Sequence, residues 1–151
     1  MLRIRTRKYK FFVLKHELRE AVLTWKKGQG PFPEPVHRMA VGAVNKFFAG
    51  FNLVTVPAPS FHAYDRYPAW EAAARIAGEC GLPIERLFPD PSGRTRMGWH
   101  GALQKRVPEI DAPAGRFILI LDDILTTGHT LRVSCEAIIR RGSYPAALAL
   151  C

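Results

Sequence analysis

Hydrophobic positions along the chain change period several times, and each change marks a predicted element. The run "YKFFVL", Tyr9 to Leu14, reads as a short strand. "KHELREAVLTWKKG" follows, where Leu14, Leu18, Ala21, Val22 and Trp25 recur at helical spacing. Lys26 and Lys27 suit a last helical turn and Gly28 a stop. "QGPFPEP" is a loop. From Pro35 a second helix is predicted, with Val36, Met39, Ala40, Ala43, Val44, Phe47 and Phe48 on one apolar face. "NLVTVPAPS" reads as a buried strand ending at Pro57. A helix is expected from Pro68 to Cys80, closed by Gly81. "IERLF" is predicted to be a short strand, and "PDPSGRTRMGWHG", which has no period, a loop. "FILIL", Phe117 to Leu121, is continuously apolar, as expected of a strand covered on both faces. Thr130 to Arg141 predicts a helix with Leu131, Cys135, Ile138 and Ile139 inward, and "AALALC" a closing strand. Strands alternating with helices predict an α/β domain with a mostly parallel central sheet flanked by helices.

Length and composition narrow the class. The chain has 151 residues, which suits one domain that buries roughly 70% of its unfolded surface. It contains no apolar run of membrane-spanning length and no apolar signal core in "MLRIRTRKYK". A cytoplasmic protein with no membrane partner is the expectation. Cys80, Cys135 and Cys151 are far apart and form no CxxC pair, which argues against a zinc site or a disulfide framework. Net charge is +9, and residues 1–28 account for +7 of it, through nine Lys or Arg against Glu17 and Glu20. Such a basic arm fits two roles. It can be a solvated edge strand whose cations block aggregation, or a contact for nucleic acid or a phosphorylated ligand.

The stretch "RFILILDDILTTGHTL" carries the chemistry. Asp122 and Asp123 lie at the carboxyl end of a predicted central strand, where open α/β sheets bind ligands. "ILTTGHT" then enters a helix N-terminus, whose free amides and dipole favour an anion. Gly128 permits close backbone approach, and the hydroxyls of Thr126, Thr127 and Thr130 donate to phosphate oxygens without adding charge. Two carboxylates just upstream accept from vicinal hydroxyls. A sugar phosphate meets both demands. An ordinary helix cap explains one threonine but not two acids and three threonines around a glycine. Neither GxxxxGK followed by Ser or Thr nor GxGxxG occurs.

"ILILDDILTTGHT" resembles the phosphoribosyl-pyrophosphate (PRPP) binding motif of type I phosphoribosyltransferases: four apolar residues, two acids, two apolar residues, then Thr-Thr-Gly-x-Thr. The resemblance implies that fold, which is Rossmann-like and has a small N-terminal hood. It makes Asp122 and Asp123 ribose-hydroxyl acceptors, and Thr126, Thr127, Gly128, His129 and Thr130 the 5′-phosphate loop. The chain is also similar to the ComF-type branch, related to bacterial competence proteins and amidophosphoribosyltransferases. "LREAVLTWKKGQG" resembles that branch's helix ending in Lys and Gly. "VTVPAPS" resembles its pyrophosphate loop, here Pro57, Ala58, Pro59 and Ser60. "RTRMGWHGAL" falls where the family keeps a hood loop. The zinc-binding cysteines that usually open that branch are absent. Arg66 is the clear match within "FHAYDRYPAW", and the branch's hood glutamine aligns with His100.

The implied reaction displaces pyrophosphate from ribose C1 by a nitrogen nucleophile, mainly through positioning and electrostatics. The implied cofactor is Mg²⁺, held through ligand oxygens and not by a dedicated set of protein donors. Arg66, Arg94, Arg96 and His100 are the candidate donors to the diphosphate. Residues 1–50 are expected to form the hood and acceptor side, and residues 51–151 the phosphoribosyltransferase core. With the chain ending just after its last strand, acceptor recognition falls to residues 1–50 and the hood loop. PRPP or a nucleoside monophosphate is the expected partner, nucleic acid a second candidate through the basic arm, and the fold is compatible with a homodimer. The alternative is a non-catalytic, regulatory protein that uses the fold as a PRPP or nucleotide sensor linked to nucleic-acid handling.

Overall fold

The computed structural model describes residues 2–5, 10–13, 16–59, 68–88 and 109–151. Five strands form one sheet. In chain order they are β1 (Leu2–Arg5), β2 (Lys10–Val13), β3 (Leu53–Pro57), β4 (Phe117–Asp122) and β5 (Tyr144–Ala149). The helices are α1 (Arg19–Lys26), preceded by a 3₁₀ turn at His16–Leu18, α2 (Glu34–Phe47), α3 (Pro68–Cys80) and α4 (His129–Arg140). The spatial order is β1-β2-β5-β4-β3. β2, β5, β4 and β3 run parallel, and β1 pairs antiparallel with β2 at the edge. Within the basic leading segment, β1 is therefore an edge strand tied into the sheet through β2.

Alternation along β4 divides the core. Leu119 and Leu121 face the side covered by α1, α2 and α3, with Val22, Trp25, Val36, Ala40, Ala73 and Ile76. Ile118 and Ile120 face α4, with Leu131, Cys135 and Ile138. Residues 118–121 are all buried, as a strand covered on both faces requires. The expected continuous apolar run is thus the central element of a three-layer domain. Phe117, at the entry of the strand, is half open and stacks on Tyr144 at 5.1 Å.

Three local expectations change. "IERLF" is not a strand. Ile84 makes one bridge to Thr55, through Thr55 N–H to Pro83 C=O (2.8 Å) and Glu85 N–H to Thr55 C=O (3.0 Å). Pro83 removes a donor, and the side chains then diverge. Glu85 forms a two-pronged ion pair with Arg116 (2.9 and 2.7 Å), while Arg86 lies 4.4 Å over the Trp70 ring. Second, Ile139 is 48% exposed rather than inward. The inner stripe of α4 is Leu131, Ser134, Cys135 and Ile138, and Ile139 falls on its flank. Third, the last strand begins at Tyr144, earlier than "AALALC", because Pro145 is accommodated within the pairing.

Cys135 and Cys151 are buried and Cys80 is partly so, all as free thiols. Burial pushes the Cys135 thiol up to about 12 and the Cys151 thiol up to about 11, and raises that of Cys80. None is a ready nucleophile. In the folded protein at pH 8, a chromogenic disulfide reagent should titrate at most Cys80 promptly, and all three thiols after unfolding. Prompt reaction of three equivalents without denaturant would contradict the packing.

Candidate functional site

Three parallel strands end together at one end of the sheet, and the candidate residues that are described gather there. Pro57 of β3 is in register with Leu121, and Asp122 with Ala149 of β5. Ala58 N–H donates to Leu121 C=O at 2.7 Å, so the Pro57-Ala58-Pro59 turn leaves the sheet beside the acids. On the other side, Leu150 N–H donates to Asp122 C=O (3.0 Å) and Cys151 N–H to Asp123 C=O (3.3 Å). The backbone of the acid pair is thereby held from both flanks. Ser60, Arg66, Arg94, Arg96 and His100 lie outside the described residues.

The two acids occupy different surroundings. Asp123 is buried, and the Lys26 ammonium lies 2.9 Å from its Oδ1 and 2.7 Å from its Oδ2. Asp122 keeps part of its surface open, and its Oδ1 accepts the Asp123 backbone N–H at 2.9 Å. The Asp122 carboxyl is pushed up to about 8. Burial is the main cause, followed by the charge of Asp123. Lys26 and the Asp123 amide pull the other way. Two adjacent acids with one nearby cation cannot both ionise cheaply, and Asp122 is the one held up.

Lys26 is the residue that sequence reasoning missed at this site. It reads as a helix-ending cation, 97 positions from Asp123. α1 delivers it because Val22 and Trp25 anchor the helix in the core and Trp25 packs edge-on against Phe32 at 4.8 Å. Gly28, at φ 75°, then closes the helix, with its N–H on Trp25 C=O (2.8 Å). The signals in the sequence were the run of two lysines before the stop and the resemblance of "LREAVLTWKKGQG" to a helix ending in Lys and Gly.

Beyond the acids, Ile124 and Leu125 pack against the two faces of the core, one on each side. Leu125 N–H donates to Cys151 C=O at 2.6 Å. The chain then turns outward, with Thr126 and Thr127 exposed. Gly128 caps α4 in the left-handed conformation (φ 72°), which a Cβ would strain. His129 N–H donates to Thr127 Oγ1 at 3.3 Å, and Arg132 N–H to Gly128 C=O at 2.9 Å. The amides of Thr127, Gly128, Thr130 and Leu131 take no backbone acceptor among the described residues. These amides and the helix dipole form an anion cradle directly after the acid pair. Behind it, Arg132 bridges His129 Nδ1 and Glu136 Oε1, each at 3.2 Å, and fixes the first turn.

Among the described residues no group of three or more His, Cys, Asp or Glu is arranged to hold a metal. The acid pair, half of it already paired to Lys26, fits a Mg²⁺ that arrives on a ligand's oxygens and needs few protein donors. No described helix is long and apolar enough to cross a membrane.

Four parallel strands flanked by helices, with the candidate site at their carboxyl ends, give the chain the α/β architecture of the type I phosphoribosyltransferase fold. Among solved structures it is similar to an adenine phosphoribosyltransferase from Leishmania tarentolae, with a TM-score of 0.50 and 11% sequence identity. The match covers 80% of this chain and 57% of that one, so the chain spans little more than half the length of the protein it resembles. At that identity the likeness is one of fold. No family model matches the sequence, and no curated protein matches it.

Proposed function

We propose that the chain binds PRPP or a ribonucleoside 5′-monophosphate at the carboxyl end of the sheet and transfers phosphoribose between pyrophosphate and a nitrogen nucleophile. The observation that carries this reading is one continuous turn that sets two carboxylates beside a cradle of free amides. The amides of Thr127, Gly128, Thr130 and Leu131 suit the 5′-phosphate, with hydroxyls from Thr126, Thr127 and Thr130. Asp122 and Asp123 suit the vicinal ribose hydroxyls. The Pro57–Pro59 turn borders the acids where a group on ribose C1 lies, and is assigned to the diphosphate together with Ser60, Arg66, Arg94, Arg96 and His100. Residues 1–50 are assigned the acceptor side, since α1 already reaches the acid pair. Residues 51–151 are assigned the phosphoribosyltransferase core.

In this reading the residues act by holding the ligand and not by covalent chemistry. The cradle fixes the phosphate end, the acids orient the ring, and C1 is left facing the acceptor. The cost of aligning two reactants is met by binding energy spent at these remote groups. Mg²⁺ bound with the ligand supplies charge neutralisation at the departing diphosphate.

The test separates ribose from phosphate recognition. Above pH 8, where the Asp122 carboxyl has given up its proton, Asp122→Asn and Asp123→Asn should each weaken ribose 5-phosphate binding by about 1–2 kcal/mol, since the amide keeps the shape but loses the charge-assisted acceptor. Inorganic phosphate affinity should change little in either variant. A parallel loss for both ligands would remove the acids from the ribose site.

A further inference from the structure

The Lys26–Asp123 pair is not what an isolated ribose acceptor needs. The ammonium spans both carboxylate oxygens, at 2.9 and 2.7 Å, so a hydroxyl that donates to Asp123 shares those oxygens with it and loosens its hold. The lysine side chain is 28% exposed and the aspartate side chain 7%, so the cation stands on the open side of the carboxylate. Two of its three protons suffice for the carboxylate, and the third is available to another acceptor. The helix behind it is pinned by Val22 and Trp25, which confines the ammonium to the reach of one side chain. Arg19 lies on the same face of α1, two turns earlier. The Pro57–Pro59 turn across the site supplies no charged side chain of its own.

A ribose hydroxyl on C2 neighbours the group on C1. An ammonium whose hold on Asp123 is loosened by that hydroxyl then stands next to the C1 substituent, and a diphosphate there is the anion that compensates the weakened carboxylate bond. We propose that Lys26 is a binding residue for the C1 diphosphate of PRPP, held by Asp123 in the empty site and passed to the diphosphate when ribose hydroxyls occupy the carboxylate. This rests on the site being a phosphoribosyl site, as proposed above. It makes Lys26 a specificity residue, because it distinguishes PRPP from ribose 5-phosphate, which has no anion on C1. A lysine that only neutralises a buried carboxylate treats the two ligands alike.

The experiment compares PRPP with ribose 5-phosphate by calorimetry on the wild-type protein, Lys26→Met and Lys26→Arg. In Lys26→Met, PRPP affinity should fall about tenfold, the effect of one charge-assisted hydrogen bond. Affinity for ribose 5-phosphate should stay within about threefold or tighten as the competitor for Asp123 is removed. Lys26→Arg should restore most of the preference for PRPP. Where Lys26→Met does not fold, judged by its melting curve, Lys26→Gln replaces it. Equal losses for both ligands, or no loss for either, overturn the assignment. Wild-type protein that binds ribose 5-phosphate without preferring PRPP also overturns it and leaves the phosphoribosyl site standing. Wild-type protein that binds neither ligand sinks the site and the assignment together.

Discussion

Changing Thr127 and Thr130 together to alanine is expected to weaken PRPP binding by about 2–4 kcal/mol, roughly 30- to 1000-fold. Each hydroxyl is assigned one hydrogen bond to a charged phosphate, worth about 1–2 kcal/mol. Thr127 Oγ1 accepts the His129 N–H at 3.3 Å, which leaves its own proton free to donate outward. Thr130 stands in the first turn of α4, half exposed, and the bond from Ser134 Oγ to its carbonyl (2.7 Å) is untouched by truncating its side chain. Neither side chain is in the core, so the double variant should keep its fold. Some affinity should survive, because the free amides of the cradle remain. Calorimetric titration checks this. A folded double variant that binds PRPP as tightly as the wild type would mean that the phosphate lies elsewhere.

The empty protein should lose stability as pH rises from about 4 to 8, and Asp122→Asn should relieve that loss. Below about pH 4 the Asp122 carboxyl is protonated whether the chain is folded or not. Above that, the unfolded chain gives up the proton while the folded one retains it until about pH 8. Each pH unit in this window costs the fold up to about 1.36 kcal/mol, and beyond it the penalty stays at full size. Partial exposure of Asp122 limits the total to on the order of 3 kcal/mol. Among the described residues the charged groups acting on it are Asp123 and Lys26. Asparagine keeps the acceptor for the Asp123 N–H and carries no charge. Its melting temperature should therefore exceed that of the wild type by roughly 6–12 °C at pH 8.5, and match it near pH 4. A difference that is the same at both pH values, or reversed at pH 8.5, would contradict this account of the pair. On the proposed reading, binding of ribose hydroxyls is what two acids held together at a cost in stability would serve.

Local physics made the central elements legible in the sequence. β4 announced itself through five consecutive apolar residues followed by two acids, α3 through its proline start and glycine stop, and the cradle through a glycine among hydroxyls before a helical period. Where pattern alone failed, tertiary arrangement decided. "IERLF" has strand composition, but Pro83 and the side-chain partners of Glu85 and Arg86 reduce it to one bridge. Ile139 sits at an apolar helical position, yet falls outside the stripe that the sheet covers. β1 was legible only as a charge-rich segment, because four residues at an edge carry too little alternation to set a register. Within the site, the acids and threonines were readable because they are contiguous. Lys26 was not, because no periodicity links a helix end to an acid 97 positions away. Only the packing of Val22 and Trp25 brings the two together.

The most direct measurement is calorimetric titration of the wild-type protein with PRPP, in the presence and absence of Mg²⁺. Saturable binding of one PRPP per chain, tighter with Mg²⁺ and abolished or sharply weakened in the Thr127→Ala, Thr130→Ala variant, is the predicted result. Absence of binding at millimolar PRPP under both conditions, in protein shown to be folded, would contradict the assignment of a phosphoribosyl site to the carboxyl end of this sheet.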